Sequence, residues 1–202
     1  MILPRDDLVK LLGNIWTSDE GREALTYLTD SLESRFAGSE GENLAADFLI
    51  DKFNEYGLQG AEKQEFDIQG WQRESTDFFL KSKPETKFPA IALPFCPPKT
   101  VKGNLLDLGD GLEEDFERDI KDKVVTVTNR RPSHRKGSLT RKEKYKKSVE
   151  GGAAGFIFIN HRPGNLPPTG SLKSNEIGEI PGIGIAKETG EKIGRASCRE
   201  RV

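Results

Sequence analysis

The spacing of hydrophobic residues in the centre of the chain predicts a strand, a helix and a second strand in succession. Residues 123–128 and 156–160 are short runs rich in β-branched or aromatic side chains, a pattern typical of buried strands. Residues 142–150 between them are rich in helix formers, and Tyr145 and Val149 lie four positions apart on one face of that helix.

A third strand and a second helix are expected directly after this unit. The glycine pair at 151–152 should end the central helix, because glycine tolerates a positive φ. Residues 183–186 form an apolar stretch after Pro181, and the pattern of residues 187–193 predicts one more short helix.

The region before residue 60 is predicted to be mostly helical. Residues 6–12 predict a short helix that stops at the following Gly-Asn pair, and residues 18–34 predict a second helix. Ser39 and Glu42 have the spacing of a capping box, so a third helix is expected to begin there and to end at Gly57. The apolar faces of the second and third helices are formed by Ala24, Leu25, Leu28, Leu32, Leu44, Phe48, Leu49, Phe53 and Tyr56.

Short strands are predicted between these two helical regions. Residues 62–68 alternate as a strand would, whereas residues 77–81 and 88–93 are apolar stretches near prolines, which favours edge strands. Residues 101–108 alternate loosely, and residues 112–116 predict one helical turn.

The order of the central elements resembles the protease-associated (PA) domain. The resemblance rests on KVV at 123–125, Lys144-Tyr145 within the helix, GAAGFIFIN at 152–160, IPGIGI at 180–185 and KETGEKI at 187–193. It implies a β-rich open sandwich or barrel with flanking helices. PA domains are non-catalytic inserts in several unrelated hydrolases and receptors, so this resemblance names a module and leaves the chemistry open.

The preceding segment resembles metallopeptidase family 28, the two-zinc aminopeptidases related to aminopeptidase Y and glutamate carboxypeptidase. It reads RFAGSEGENLAADFLIDKFNEYGLQGAEKQEF at 35–66, and many members of that family carry a PA domain soon afterwards. The resemblance implies a mixed α and β fold, in which the helical segment of an α/β zinc-peptidase domain precedes the PA domain. It also implies a parent enzyme that uses two zinc ions to hydrolyse peptide substrates.

These resemblances, together with the last ten residues, divide the chain into three predicted regions. Residues 1–72 are expected to be the helical segment of the peptidase domain, and residues 73–192 the PA domain. The sequence IGRASCRERV at 193–202 resembles the in-frame translation of a sequencing adaptor, so we expect it to be non-native. The alternative is a native basic tail with a free thiol at Cys198.

Composition and charge describe a globular protein with a heavily charged surface. The chain has 31 basic and 33 acidic residues, a net charge of −2, which argues against a nucleic-acid partner. The basic run at 130–147 is interpreted as a solvated loop leading into a charged helix face, with a nucleic-acid or anionic-surface site as the alternative. No apolar run reaches the length of a membrane span, and residues 1–16 lack a secretory core, so a cytoplasmic location is favoured while the compartment stays open.

No catalytic, substrate-binding or metal-ligating residue is assigned in this chain. His134 lies among basic residues and His161 is expected in a surface loop, so neither is a predicted zinc ligand. Cys96 is expected to fill an apolar pocket. The chain is therefore expected to bind no catalytic zinc and to hydrolyse nothing, because the family's metal ligands lie after the PA insertion. The loop at 161–171 is a candidate contact surface, with an ordinary connector as the alternative.

The sequence leaves two other interpretations of the chain open. One is a free-standing PA module that binds peptides or partner proteins, and the other is a subtilisin-like or receptor-like protein. The RFAGSEGE segment before the PA domain favours the peptidase. If the peptidase sheet lies outside this chain, the apolar helix faces before residue 57 should be exposed and could dock a partner, as a loosely attached arm.

Overall fold

The chain folds into two compact units, residues 1–70 (unit 1) and residues 71–202 (unit 2). The structure is a computed structural model that describes residues 4–32, 34–81, 86–134 and 136–199, with only the backbone for 195–199. Unit 1 is helical, and unit 2 contains all the strands found within those ranges. The mixed α and β fold class is thereby confirmed.

Unit 1 contains helices α1 (Arg5–Thr17), α2 (Glu20–Thr26) and α3 (Glu40–Glu55), with a π-helical turn at Tyr27–Ser31 after α2. The predicted stop of the first helix is wrong, because α1 continues through Gly13 to Thr17. A single glycine costs a helix only about 1 kcal/mol and does not end it.

Both predicted ends of α3 are confirmed. The Ser39 hydroxyl accepts a hydrogen bond from the Glu42 N–H at 3.3 Å, while the Glu42 carboxylate accepts one from the Gly38 N–H. At the other end Gly57 has a φ of 74°, and the Leu58 N–H donates to the Phe53 carbonyl at 2.9 Å. This is the Schellman arrangement that satisfies the last carbonyls of a helix.

The apolar faces of unit 1 are largely exposed. Among its described residues only Leu32 and Ala45 are buried hydrophobics, and Leu25 is 61% exposed, which agrees with the expectation that these helix faces are exposed in this chain. The predicted strand at 62–68 is also absent, since residues 61–70 have no regular structure. Alternation alone cannot form a strand, because a strand requires a neighbour for its backbone hydrogen bonds.

Unit 2 is built on a five-stranded sheet of β3 (Ile91–Ala92), β4 (Leu105–Asp107), β5 (Val124–Thr128), β6 (Gly155–Ile159) and β7 (Gly182–Ile185), in the order β3-β7-β6-β5-β4. Strands β4 to β7 are parallel, and β3 pairs antiparallel with β7 at one edge. A separate hairpin pairs β1 (Phe78–Leu80) with β2 (Thr86–Phe88).

The predicted strand-helix-strand unit is confirmed as β5, helix α4 (Arg141–Glu150) and β6. A 3-10 turn at Glu113–Glu117 and helix α5 (Lys187–Arg199) also lie where the sequence places them. Helix α5 extends beyond residue 193, and residues 200–202 lie outside the described part of the chain.

The sheet of unit 2 is buried on both faces. Phe156 and Phe158 of β6 face the cluster that contains Tyr145 of α4, whereas Ile157 between them packs with Ile193 of α5. A strand covered on both faces is typical of a parallel sheet flanked by helices. This arrangement places the N-terminus of α4 near the ends of β5 and β6.

Candidate functional site

The loop at 161–171, which follows β6, is fastened to helix α5 at its beginning. The Glu188 carboxylate accepts hydrogen bonds from the N–H groups of Gly164 at 2.8 Å and Asn165 at 3.1 Å. The hydrogen bond from Gly164 is the main cause that lowers the pKa of Glu188. Asn160 donates to the Leu166 carbonyl at 2.8 Å, so the turn that presents Leu166 is held from two sides.

Helix α4 holds the other end of the same loop. The Arg141 Nε donates to the Ser171 carbonyl at 2.9 Å, and its Nη1 donates to the Thr169 carbonyl at 3.3 Å. Its guanidinium also lies 6.0 Å from the centre of the Phe158 ring. Arg141 is half-buried, and this burial lowers its pKa. The loop is therefore a preformed surface of the domain.

Between this loop, β6 and the N-terminus of α4 lies a cleft of about 300 Å³, called the α4 cleft below. It is lined by Asn129, Arg131, Leu139, Thr140, Arg141, Lys144, Phe158, Pro168 and Thr169. Three of these side chains are cationic and none is a carboxylate. The structure thus brings together basic residues that lie up to thirteen positions apart in the sequence.

Lys144 is the buried cation of the α4 cleft. Its side chain is almost fully buried, at 2% exposure, and its ammonium donates to the carbonyls of Thr128 at 3.0 Å and Arg130 at 2.9 Å. Burial lowers the pKa of Lys144 to about 8. The interpretation of the basic run as a solvated surface is therefore wrong at Lys144 and, in part, at Arg141.

A sequence signal for this burial was present. Arg141, Lys144, Tyr145 and Ser148 recur at intervals of three or four, which puts them on one helix face. All four are buried or half-buried. The sequence did not predict the burial of this face, because Arg and Lys side chains are mostly exposed to water in folded proteins.

The two histidines do not form a shared site in the described structure. His134 is exposed, and the exposed His161 is held by Asn129, whose side-chain oxygen accepts from the His161 N–H at 2.8 Å. Within the described ranges, no three or more His, Cys, Asp and Glu side chains cluster closely enough to share a metal ion. Cys96 packs against the core of unit 2 and accepts a hydrogen bond from the Gly182 N–H at 3.3 Å. Its packing against this core confirms the interpretation of Cys96 as a packing residue, and the same burial raises the pKa of its thiol.

We expect the buried Lys144 to make the free energy of unfolding of unit 2 increase with pH in the alkaline range. Its pKa of about 8 lies below the ordinary 10.5, so the unfolded chain binds the extra proton between these values. The free energy of unfolding should therefore rise with pH in this window, by up to about 1.4 kcal/mol per pH unit from this group. The measurement is urea unfolding between pH 7.5 and 10.5, and Lys144→Met should reduce the slope.

Lys146→Met is the matched control for this measurement. Lys146 lies on the same helix with its side chain 74% exposed and its ammonium 3.7 Å from Glu150. The control should keep the slope of the wild type. Equal slopes in the two variants would show that Lys144 titrates as an ordinary surface lysine.

Comparison with known proteins identifies the second half of the chain. The sequence matches the PA domain family over residues 91–193, which is half of the chain. The chain belongs to the PA domain family. The PA domain therefore includes the five-stranded sheet, helix α4 and the α4 cleft.

Proteins similar to this PA domain protein include aminopeptidases. Aminopeptidase YwaD of Bacillus subtilis is 35% identical over 89 residues, which cover 44% of this chain and 18% of that protein. The solved structure of BSAP, a zinc aminopeptidase from Bacillus subtilis, matches with a TM-score of 0.65 and 26% identity over 86% of this chain. The resemblance to metallopeptidase family 28 is thereby confirmed, together with that to the PA domain.

The fold match extends into the helical unit before the PA domain. A peptidase M28 precursor from Shewanella amazonensis SB2B matches over 95% of this chain with a TM-score of 0.73 and 19% identity, which shows the shared fold. This chain spans 40% of the BSAP chain and 46% of the Shewanella chain. No helix in the described residues is long and apolar enough to cross a membrane.

Proposed function

We propose that this chain is the N-terminal part of a zinc-dependent aminopeptidase and comprises scaffold helices and a PA domain. The observation that carries the proposal is the fold match to a zinc aminopeptidase over 86% of this chain, which reaches beyond unit 2 into the helices. The proposed parent removes N-terminal residues from peptides and uses two zinc ions. The exposed apolar faces of unit 1 are then the surfaces that meet the rest of the peptidase domain.

The described residues do not fit the zinc site of such an enzyme. A two-zinc centre needs several imidazole and carboxylate ligands around the metals, and no such cluster exists among the residues described. We therefore assign no step of hydrolysis to this chain. In the proposal, the ligands belong to a part of the parent that follows the PA domain.

The PA domain in this proposal shapes the access of peptides to the peptidase. The fastened loop at 161–171 supports this role, because it is held by Glu188 and Arg141 and presents Leu166, which is 65% exposed. A loop held on a rigid scaffold is a common way to position a contact residue. The structural match of unit 1 to peptidases favours this role over a free-standing interaction module.

The test compares the 202-residue chain with the complete product of its gene. An aminoacyl chromogenic substrate should show no turnover with the chain. The complete product should show turnover that a chelator abolishes and added zinc restores. Turnover by the chain, or stoichiometric tight zinc binding to it in calorimetry, would contradict the assignment. A complete product that is inactive with zinc would favour the interaction module.

A further inference from the structure

The α4 cleft carries positive charge that is not neutralised by direct contact. Among the described residues, Arg141 and Lys144 donate only to uncharged backbone carbonyls, those of Ser171, Thr169, Thr128 and Arg130. Arg131 is exposed and makes no ion pair within the described part of the chain. A charge held away from water without a counter-ion is costly, so an anion that enters the cleft would gain from all three side chains.

Two acidic groups that interact electrostatically with cations of the cleft, Glu143 and Asp110, are engaged outside it. The Glu143 carboxylate accepts from the Thr140 N–H at 2.6 Å, as part of the capping box of α4. The Asp110 carboxylate accepts from the Thr128 hydroxyl at 2.8 Å and lies 3.9 Å from Arg130. Neither carboxylate lines the cleft. Both reduce its positive potential, but neither occupies the space in which an anion would bind.

Arg141 and Lys144 do not use all of their hydrogen-bond donors in the contacts of the described residues. Lys144 has three N–H donors and uses two, and Arg141 has five and uses two, among the contacts of the described residues. Lys144 lines the cleft and is only 2% exposed, so it belongs to the packed wall of the domain and is not a surface lysine. Guanidinium and ammonium groups make strong charge-assisted hydrogen bonds to a carboxylate, and a guanidinium can bind one through two parallel N–H donors.

Part of the cleft wall is apolar. Phe158, Leu139 and Pro168 line it beside the cations, and its volume of about 300 Å³ is at the lower end of the range for small-ligand clefts. A group of amino-acid size with one carboxylate and one apolar side chain matches this lining.

We propose that the α4 cleft binds the C-terminal residue of a peptide, with its carboxylate against Arg131, Arg141 and Lys144 and its side chain against the apolar wall. The proposal concerns binding by the PA domain itself and does not depend on hydrolysis. Its failure would therefore leave the aminopeptidase proposal untouched.

The test uses the whole 202-residue chain and two matched peptides, N-acetyl-alanyl-leucine and its C-terminal amide. Chemical shifts of backbone amides report the binding site during titration. The acid should shift residues around the cleft and bind at least about ten-fold more tightly than the amide, because charge-assisted hydrogen bonds are the stronger ones. Equal affinity of the acid and the amide, or shifts elsewhere in the chain, would overturn the proposal.

Two neighbouring arginines provide a matched pair of variants. Arg131→Ala removes a cation that lines the cleft and should weaken binding of the acid about three- to five-fold, the range for an exposed charge pair. Arg130→Ala removes the adjacent exposed arginine, which lies outside the cleft, and should leave binding unchanged. Equal effects in both variants would indicate nonspecific attraction and overturn the proposal.

A titration with inorganic phosphate decides which anion the cleft prefers. The peptide acid should bind more tightly than phosphate, because only the peptide also covers Phe158, Leu139 and Pro168. Tighter binding of phosphate would identify a general oxyanion site and refute the peptide assignment. Circular dichroism of each variant confirms that the PA domain is folded before its affinity is compared.

Discussion

Replacing Tyr145 with alanine is expected to lower the free energy of unfolding of unit 2 by about 4 kcal/mol, which is typical of removing a buried aromatic ring. Tyr145 is 1% exposed, and its ring meets Phe156 edge to face with the centroids 5.6 Å apart. Its hydroxyl donates to the Ile180 carbonyl at 2.8 Å and accepts from the Ile180 N–H at 3.1 Å. One side chain thus joins α4, β6 and the segment that leads into β7.

The measurement is urea unfolding followed by the fluorescence of Trp71, whose indole N–H donates to the Cys96 carbonyl at 3.2 Å within unit 2. Trp16 of unit 1 is 90% exposed and should change little. Tyr145→Phe keeps the ring but leaves the Ile180 groups without the hydroxyl, so a loss of about 1–2 kcal/mol is expected.

Phe79→Ala is the control for aromatic truncation, because Phe79 is 46% exposed in the β1–β2 hairpin. Its expected loss is below about 1 kcal/mol. If Tyr145→Ala and Phe79→Ala lowered stability equally, the ring of Tyr145 could not be the link that the structure shows.

Replacing Gly184 with alanine is the second large expected effect, a loss of about 3 kcal/mol in the stability of unit 2. Gly184 lies in β7 between β3 and β6, and a Cβ there would overlap the backbone carbonyl oxygen of Pro168. Because that oxygen belongs to the fastened loop at 161–171, the loop or the strand would have to move. Faster amide hydrogen exchange in this loop should accompany the loss of stability.

Gly182→Ala in the same strand separates backbone overlap from side-chain crowding. A Cβ at Gly182 would meet the methyl groups of Leu172, 2.8 Å away, which can shift by side-chain rotation. Its expected loss is about 1 kcal/mol, with loop exchange unchanged. Equal losses in the two variants would show that the contact with Pro168 does not restrict β7.

The elements that were predicted correctly depend on contacts close in sequence. The β5–α4–β6 unit follows from β-branched runs on either side of a stretch of helix formers. The start of α3 follows from Ser39 and Glu42, three positions apart. In each case the residues that form the element are those that specify it, so a short window of sequence was sufficient.

The candidate site could be predicted only in part. The loop at 161–171 was singled out by its prolines and glycines, whereas the α4 cleft was missed. Arg131, Arg141 and Phe158 are far apart in sequence, and only the parallel pairing of β5 with β6 brings them to one cavity. The burial of Lys144 depends on the same pairing, since carbonyls at the end of β5 replace the water around its ammonium.

The sequence by itself determined the module, the β5–α4–β6 unit and the two ends of α3, because local hydrogen bonding and hydrophobic periodicity encode them. Only the tertiary structure decided which charges are buried, which apolar faces stay exposed and whether residues 62–68 form a strand. Those outcomes depend on partners distant in the chain, and a pattern of side chains does not reveal what will lie against it. Lys144 is hidden because β5 supplies its hydrogen-bond acceptors, whereas Leu25 is exposed because no described residue covers it.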